Sequence, residues 1–588
     1  MNSLYHRGPD QQETALFDNC GMAHTRLSIV DLENGRQPMS RSIEGHRFHI
    51  VYNGEIYNLP YLRKNLQKKT LTPDTSSDTE TLLLSFLAFG HSFIKEVDGI
   101  FSFAVYDEFH NTLSLFRDPF GVKPLFYGEK DGTVIFGSEP KACFCYPGFD
   151  PELDLSGLNE IFSLGPARTL GNGGFAGIHE LLPGEYMHIS ASGCRHHFFR
   201  KLEAVPHHDS YTDTIRHVRF LLCDSIHRQM VSDIPICSFL SGGLDSSLVT
   251  AICQMYLKKE DAALDTFSFD FKGNDVNFQA NSFQSSQDRP FAELVAKHLG
   301  THHTLLECDN ETQADYLFKA VDARDFPCMA DVESSMLYFC EQVSQTHRVA
   351  LTGECADEIF GGYPWYLNPD VLFADDFPWS GNTNLKAKLI SKELLNFDPV
   401  DYVYGRYLDT IKAAPKTGEE SPIDSRIKEV TMLNLNWFMQ TLLDRKDRMS
   451  MYSGLEVRVP FCDHRIIEYA YNIPWEIKAY KGREKGLLRK AFEELLPDEI
   501  IKRKKSPYPK SHHPRYIERV RQNVKELLNT PSAPIWEIAN KETVKNLLET
   551  EAAEYTRPWY GQLMNFPQIM AYIYAINVWL DKYGVDIV

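Results

Sequence analysis

The chain has no surplus of basic charge: 61 lysine and arginine residues face 80 acidic ones, for a formal net charge of −19. That balance excludes nucleic acid as the main partner, because binding a polyanion draws on an excess of cations. There is no apolar run near the roughly 18 residues that a membrane span requires, so no membrane partner is expected. The first ten residues include His6, Arg7 and Asp10, which argues against a secretory signal. Twelve cysteines in 588 residues are few, and most sit in apolar stretches, as expected of free thiols in a reducing cytoplasm. Cys143 and Cys145 lack a second ligand pair at zinc spacing and read as structural. The doublets His196-His197, His207-His208, His302-His303 and His512-His513 are expected in loops or on surfaces. A length of 588 residues with 43% hydrophobic content allows several domains with substantial cores.

A Gly-Lys-Ser/Thr phosphate loop is also missing, but another anion-binding layout is present. Ile234 to Leu240 is apolar and of strand length, Ser241-Gly242-Gly243-Leu244-Asp245-Ser246-Ser247 follows, and Leu248 to Cys253 reads as a buried helix. Glycines let the backbone approach an anion, and the helix start offers free N–H groups at the positive end of its dipole. Three serines add hydroxyl donors, and Asp245 is suited to a magnesium ion bridging phosphate oxygens. A plain turn needs one or two glycines rather than this whole string. The heptad resembles the pyrophosphate loop of N-type ATP pyrophosphatases, which cut ATP between its α and β phosphates.

Residues 1–200 read as β-rich. His49 to Tyr52 is a strand candidate ending at a turn signal, Asn53-Gly54. Phe101 to Asp107 alternates only in part and pairs with Leu113 to Phe116 after Asn111. Asp78-Thr79-Glu80 opens a helix over Thr81 to Phe89. Strands with intervening helices predict an α+β layered sandwich. Gly171 to Ala176 loosely matches a dinucleotide fingerprint but lacks the strand-turn-helix context, and is discarded. From about 210 the pattern changes. Ile215, Val218, Leu222 and Ile226 share a helical face, and strand candidates Thr266–Phe271 and Arg348–Leu351 alternate with the helix Phe291–Leu299. That alternation predicts an α/β domain over 210–588 with a parallel sheet and a helical C-terminus. Ligands bind beyond the carboxyl ends of such strands, where Ser241, Phe269 and Thr352 would line one crevice. Thr352-Gly353-Glu354-Cys355-Ala356-Asp357-Glu358 ends the third strand in an acidic cluster framed by glycines.

The first half also carries His6-Arg7-Gly8-Pro9-Asp10, Arg26 to Asp31, Asn53-Gly54-Glu55-Ile56-Tyr57-Asn58, Ser77-Asp78-Thr79-Glu80 and Arg117-Asp118-Pro119-Phe120-Gly121. This set resembles the class II glutamine amidotransferase domain, an N-terminal-nucleophile hydrolase fold. With residues 241–247, the chain from about 4 to 515 resembles the glutamine-hydrolysing asparagine synthetase family. The resemblance implies that Arg26, Asn53, Gly54, Glu55 and Asp78 hold glutamine. Arg26 suits an α-carboxylate, and Glu55 and Asp78 suit an α-ammonium. It implies that Phe239, Ser241, Gly242, Gly243, Asp245, Ser246, Phe269, Thr352 and Gly353 bind ATP. Glu354 matches the glutamate tied to forming and consuming the acyl-adenylate, Asp245 and Asp357 share magnesium, and Lys485 of Gly482 to Arg489 neutralises the departing pyrophosphate. Asp444 to Ser450 and Leu455 to Phe461 also fit the family; Arg503 to Ser506 suits a phosphate contact and reads equally as a basic loop. Residues after about 515 read as helices without chemistry.

Two departures stand out. Cys355 and Ala356 replace a glycine and a serine of the family's second motif. The family's nucleophile is a terminal cysteine whose own amine acts as base, whereas here the first cysteine is Cys20, inside the chain. The chain as given is expected to use ammonia rather than glutamine, with a start placed upstream as the favoured explanation. The implied reaction is ATP-dependent conversion of aspartate to asparagine through β-aspartyl-AMP, with ATP and magnesium as cofactors. Aspartate, glutamine or ammonia, and ATP are the expected small-molecule partners, and a homodimer is left open. Amidation of another carboxylate such as a cell-wall precursor, a β-lactam-synthetase-like ring closure, and a catalytically silent binding protein are the alternatives.

Overall fold

A computed structural model describes residues 1–588 except 279, 281–285, 381–382, 392–393, 395–397, 510, 512 and 550–557, so His512 lies outside the described residues. The N-terminal half is built on a six-stranded antiparallel sheet. Its order is Gly193–Phe198, Glu185–Ser190, Thr112–Arg117, Gly99–Asp107, His46–Ile56 and Met39–Ile43. One face packs Tyr52, Phe103 and Phe116 against Leu82, Leu83 and Phe86 of the helix Asp78–Phe89. The other face packs Val51, Ala104, Leu115 and Met187 against Met22, Leu125 and Leu181. Because successive residues point to opposite faces and both faces are covered, Phe101 to Asp107 shows little polar alternation. The α+β sandwich expected from the sequence is present.

The Asn53-Gly54 turn is not. The strand His46–Ile56 runs straight through it, with Asn53 opposite Ser102 and Gly54 opposite Phe101. Gly54 has φ +152°, and a Cβ there would lie 2.1 Å from the Ile100 carbonyl oxygen. The glycine answers a close approach between strands rather than a chain reversal.

Residues 201–210 carry neither helix nor strand, and the helix Tyr211–Gln229 follows, burying Val218, Leu222 and Ile226. The second half holds a five-stranded, all-parallel sheet of order His302–Cys308, Asp265–Phe271, Ile236–Phe239, Val349–Leu351 and Glu456–Arg458. The chain winds outward from Ile236–Phe239 to one side and then to the other. The loop after that strand therefore lies at the topological switch point, where open α/β sheets bind ligands.

The C-terminal segment is largely helical, ending in Phe566–Tyr583, but Asp586–Ile587 pairs in parallel with Glu152–Leu153 of the first half. The histidine doublets 196–197 and 302–303 lie on strands, with His196, His197 and His302 exposed at the surface, and His207-His208 lies in the loop before the helix Tyr211–Gln229. All twelve cysteines are free thiols. No helix among the described residues is long and apolar enough to cross a membrane.

Candidate active site and a second cleft

The loop Leu240–Gly243 joins the strand Ile236–Phe239 to the helix Leu244–Leu257. Gly242 turns it at φ +70°, where a Cβ would lie 2.5 Å from the Ala292 backbone nitrogen. Ser241 and Ser246 hydroxyls lie 3.0 Å apart across the loop, and the Ser241 hydroxyl accepts from the Gly243 N–H at 3.3 Å. Arg503 braces the loop from outside, donating to the Ser241 carbonyl and pairing with Asp288 at 2.5 Å. The neighbouring strand Val349–Leu351 delivers Thr352-Gly353-Glu354. Gly353 lets this segment pack against the first: its Cβ would lie 2.7 Å from the Asp245 backbone.

Here the charges converge. The Lys485 ammonium sits between Asp245 Oδ2 at 2.6 Å and Asp357 Oδ1 at 2.5 Å, and Lys505 takes Asp357 Oδ2 at 2.8 Å. Glu354 pairs with Arg445 at 3.1 Å and Lys446 at 2.9 Å, both from the helix Met439–Tyr452. Burial opposes ionisation of Glu354 and Asp357, yet the facing cations hold both carboxyls below their ordinary values. Burial raises Asp245 instead, against Lys485. Its Oδ1 is buried without a partner. Burial and Asp357 push Glu358 up to about 7, while it accepts from the Tyr363 hydroxyl at 2.5 Å.

A cavity of about 230 Å³ opens over this cluster. Phe239, Ser241, Asp245, Ser246, Phe269, Thr352, Gly353, Glu354 and Asp357 line it, so most of the residues expected to bind ATP come together. Gly242, Gly243 and Lys485 do not line it. Lys485 lies beneath, and the cations at the cavity wall are Lys505, Arg445, Lys446 and Arg289. Lys505 belongs to the stretch that reads as either a phosphate contact or a basic loop, and Arg445 and Lys446 to the family motif Asp444 to Ser450, to which the sequence assigns no role. Tyr560 to Met564 also line the cavity, so the segment after 515 contributes to the site after all.

A second cleft, of about 910 Å³, lies in the N-terminal half and is lined by Arg26, Asn53, Gly54, Glu55 and Asp78. Arg26 donates to the backbone carbonyls of Val30, Asp31 and Leu32. Asp78 accepts from the Tyr52 hydroxyl and the Thr79 N–H, both at 2.8 Å. Glu55 Oε2 pairs with Arg458 at 3.1 Å, while Glu55 Oε1 and Asn53 Nδ2 are buried without partners. Burial raises both Glu55 and Asp78 above the usual carboxylate range. Cys20 lines the cleft, but burial pushes its thiol up to about 11, the wrong direction for a nucleophile.

Residues 217–581 match the sequence family described as asparagine synthase, and residues 1–200 match the glutamine amidotransferase domain. The chain belongs to the asparagine synthase family. It is 43% identical over 590 residues to asparagine synthetase [glutamine-hydrolyzing] 3 of Bacillus subtilis strain 168, covering 100% of this chain and 95% of that one. Asparagine synthetase [glutamine-hydrolyzing] 1 of the same organism is 31% identical, over 87% of this chain and 83% of its own length. Amidase chyE of Penicillium rubens is 27% identical, over 86% and 82%. Within this family frame, the convergence of two remote lysines on the Asp245–Asp357 pair is a tertiary feature. The motif around Lys485 marks the residue but not its two carboxylate partners, Asp245 and Asp357.

Proposed function

We propose that this chain activates the β-carboxylate of aspartate with ATP, releasing pyrophosphate and forming β-aspartyl-AMP, which ammonia converts to asparagine and AMP. The observation that carries this reading is the cluster of Lys485, Lys505, Arg445 and Lys446 around Asp357 and Glu354 beside a serine-glycine loop at a sheet switch point. A triphosphate brings negative charge to this place, and preorganised cations stabilise the charge that builds as pyrophosphate leaves. Adenylation replaces an oxide leaving group by AMP, which makes the carboxylate an acyl donor.

In this reading Ser241, Ser246, Thr352 and the backbone N–H groups of Gly242 and Gly243 hold the phosphates. Phe239 and Phe269 wall the nucleoside end, and Glu354 acts at the adenylate. Lys505 is the cation in contact with the leaving phosphates, and Lys485 sets the spacing of Asp245 and Asp357. Magnesium fits Asp245, whose Oδ1 is free; both Asp357 oxygens are taken by lysines. When bound with ATP, the ion neutralises phosphate charge.

The N-terminal cleft is proposed to hold glutamine as the ammonia source. Its unpartnered Asn53 amide and Glu55 oxygen are groups a small amino acid would satisfy. The test is to incubate the protein with ATP, magnesium, aspartate and ammonia. AMP, pyrophosphate and asparagine should form in equal amounts. ADP as the nucleotide product would overturn the reading.

A further inference from the structure

The glutamine cleft and the adenylating cavity meet at one side chain. Arg458 lies on the edge strand Glu456–Arg458 of the parallel sheet and is wholly buried, 0% exposed. Its guanidinium spends its donors in three directions. Nε donates to Glu456 at 2.9 Å, and Nη1 donates to the Gln229 and Val231 carbonyls at 2.7 and 2.5 Å. Nη2 donates to Glu55 at 3.1 Å. Glu55 belongs to the strand His46–Ile56 of the other half and lines the N-terminal cleft. The Arg458 carbonyl in turn accepts from the Thr352 N–H at 3.1 Å, and Thr352-Gly353-Glu354 lines the cavity. One residue therefore joins a cleft carboxylate to the backbone of the loop that presents Glu354.

A second connection runs parallel to the first. Glu456, also on the cleft wall, pairs with Lys123 at 3.4 Å, and Lys123 lies 3.6 Å from Asp447. Asp447 follows Arg445 and Lys446 on the helix that holds Glu354, and Met451 of the same helix lines the cleft. Cations and carboxylates alternate along this route, and every member is buried. Such pairs are rigid because separating one leaves an unpaired buried charge.

We infer that Arg458 is a positioning residue through which occupancy of the N-terminal cleft sets the geometry of the Thr352–Glu354 loop. The inference rests on the reading of the two cavities given above. The trigger is Glu55: one oxygen is committed to Arg458 and the other, Oε1, is buried and unpartnered. An ammonium group entering the cleft pairs with that carboxylate and changes its hold on Arg458. The Arg458 carbonyl then moves with the strand, and the Thr352 N–H moves with it. Coupling of this kind is reciprocal, so the nucleotide also changes the affinity for glutamine.

The experiment measures pyrophosphate release by the full chain at saturating ammonia, so that glutamine is not needed as a nitrogen source. Adding glutamine should change the KM for ATP by about five-fold or more, the lower end of usual coupling. Glu55→Gln, which weakens the Arg458 contact, should abolish the glutamine-dependent change. So should Arg458→Lys, which keeps the charge but cannot reach all four acceptors. A residue that only held the two halves together would lower thermal stability in Arg458→Lys and leave the glutamine effect in place, which would overturn the inference. Should neither variant fold, the wild-type measurement still decides, because a KM for ATP indifferent to glutamine contradicts the coupling. Failure of the adenylation reading looks different, since no pyrophosphate forms with aspartate under any condition.

Discussion

In the N-terminal cleft, burial lifts Glu55 and Asp78 above the usual carboxylate range, and the cations nearby do not cancel it. Burial acts the same way on Glu354 and Asp357 in the C-terminal cavity, yet lysines and an arginine pull both below their ordinary values. Glu55 and Asp78 are short of positive charge, whereas Glu354 and Asp357 are each paired with two cations. Each imbalance describes a guest: an amino acid's ammonium for the cleft, a polyphosphate for the cavity. Asp245 and Glu358 are the exceptions in the cavity, both raised by burial, and Asp245 alone of the two is left with a free oxygen, as suits a group that meets its cation together with ATP. The contrast teaches that a buried carboxylate's direction of shift indicates the sign of what is missing beside it.

The comparison breaks most visibly if the cavity loses a cation or its free carboxylate. Lys505→Met and Asp245→Ala should each lower ammonia-dependent pyrophosphate release by about 10²–10³-fold, the usual cost of one preorganised electrostatic contact. Undiminished turnover in a folded Asp245→Ala protein would remove that residue from the mechanism. Lys485→Met should behave differently from Lys505→Met. Because Lys485 is 2% exposed between two carboxylates, its loss should also cost about 3–5 kcal/mol of stability, read by denaturant unfolding. Equal stability of the two lysine variants would show that Lys485 is no structural bridge.

On the cleft side, Arg26→Ala should raise the Kd for glutamine, read by calorimetry, by roughly ten- to a hundred-fold, the loss of a charge-assisted pair. An unchanged Kd would mean that the three carbonyls Arg26 now holds are its whole role. The smallest effect concerns the strut between the sites. Glu456 is buried, which alone would raise it, but Lys123 and Arg458 hold it down at about 2. Its folded value lies below the ordinary 4.5, so its ionisation stabilises the folded chain above about pH 4.5, and that share fades as pH falls toward 2. Glu456→Gln should therefore flatten the acid limb of a thermal-midpoint titration.

Much of the site was legible because it is local. Ser241 to Ser247 and Thr352 to Glu358 each state a strand end, a turn and a helix start within a few residues, and the parallel sheet follows from the strands and helices around them. Asn53-Gly54 misled for the same reason. A two-residue pattern signals a turn, but the strand alongside decided the outcome by coming too close for any side chain. The partners of Lys505, Arg445 and Lys446, and any part for Tyr560 to Met564, were illegible because they lie far along the chain. Lys505 meets Asp357 and Arg445 meets Glu354 only once the sheet and the helix Met439–Tyr452 are assembled. Arg458 was quoted for its motif, but nothing in sequence could tell that its carbonyl serves one cavity and its guanidinium the other.

In the proposed chemistry the aspartate β-carboxylate attacks the α-phosphate of ATP in the cavity over Asp245 and Lys505. Aspartate labelled with oxygen-18 in that carboxylate tests it directly, with ammonia supplied and the nucleotide product analysed by mass spectrometry. The label should appear in AMP, because the carboxylate oxygen leaves with the adenylyl group when ammonia attacks. Unlabelled AMP, or label found in inorganic phosphate alongside ADP, would contradict the claim.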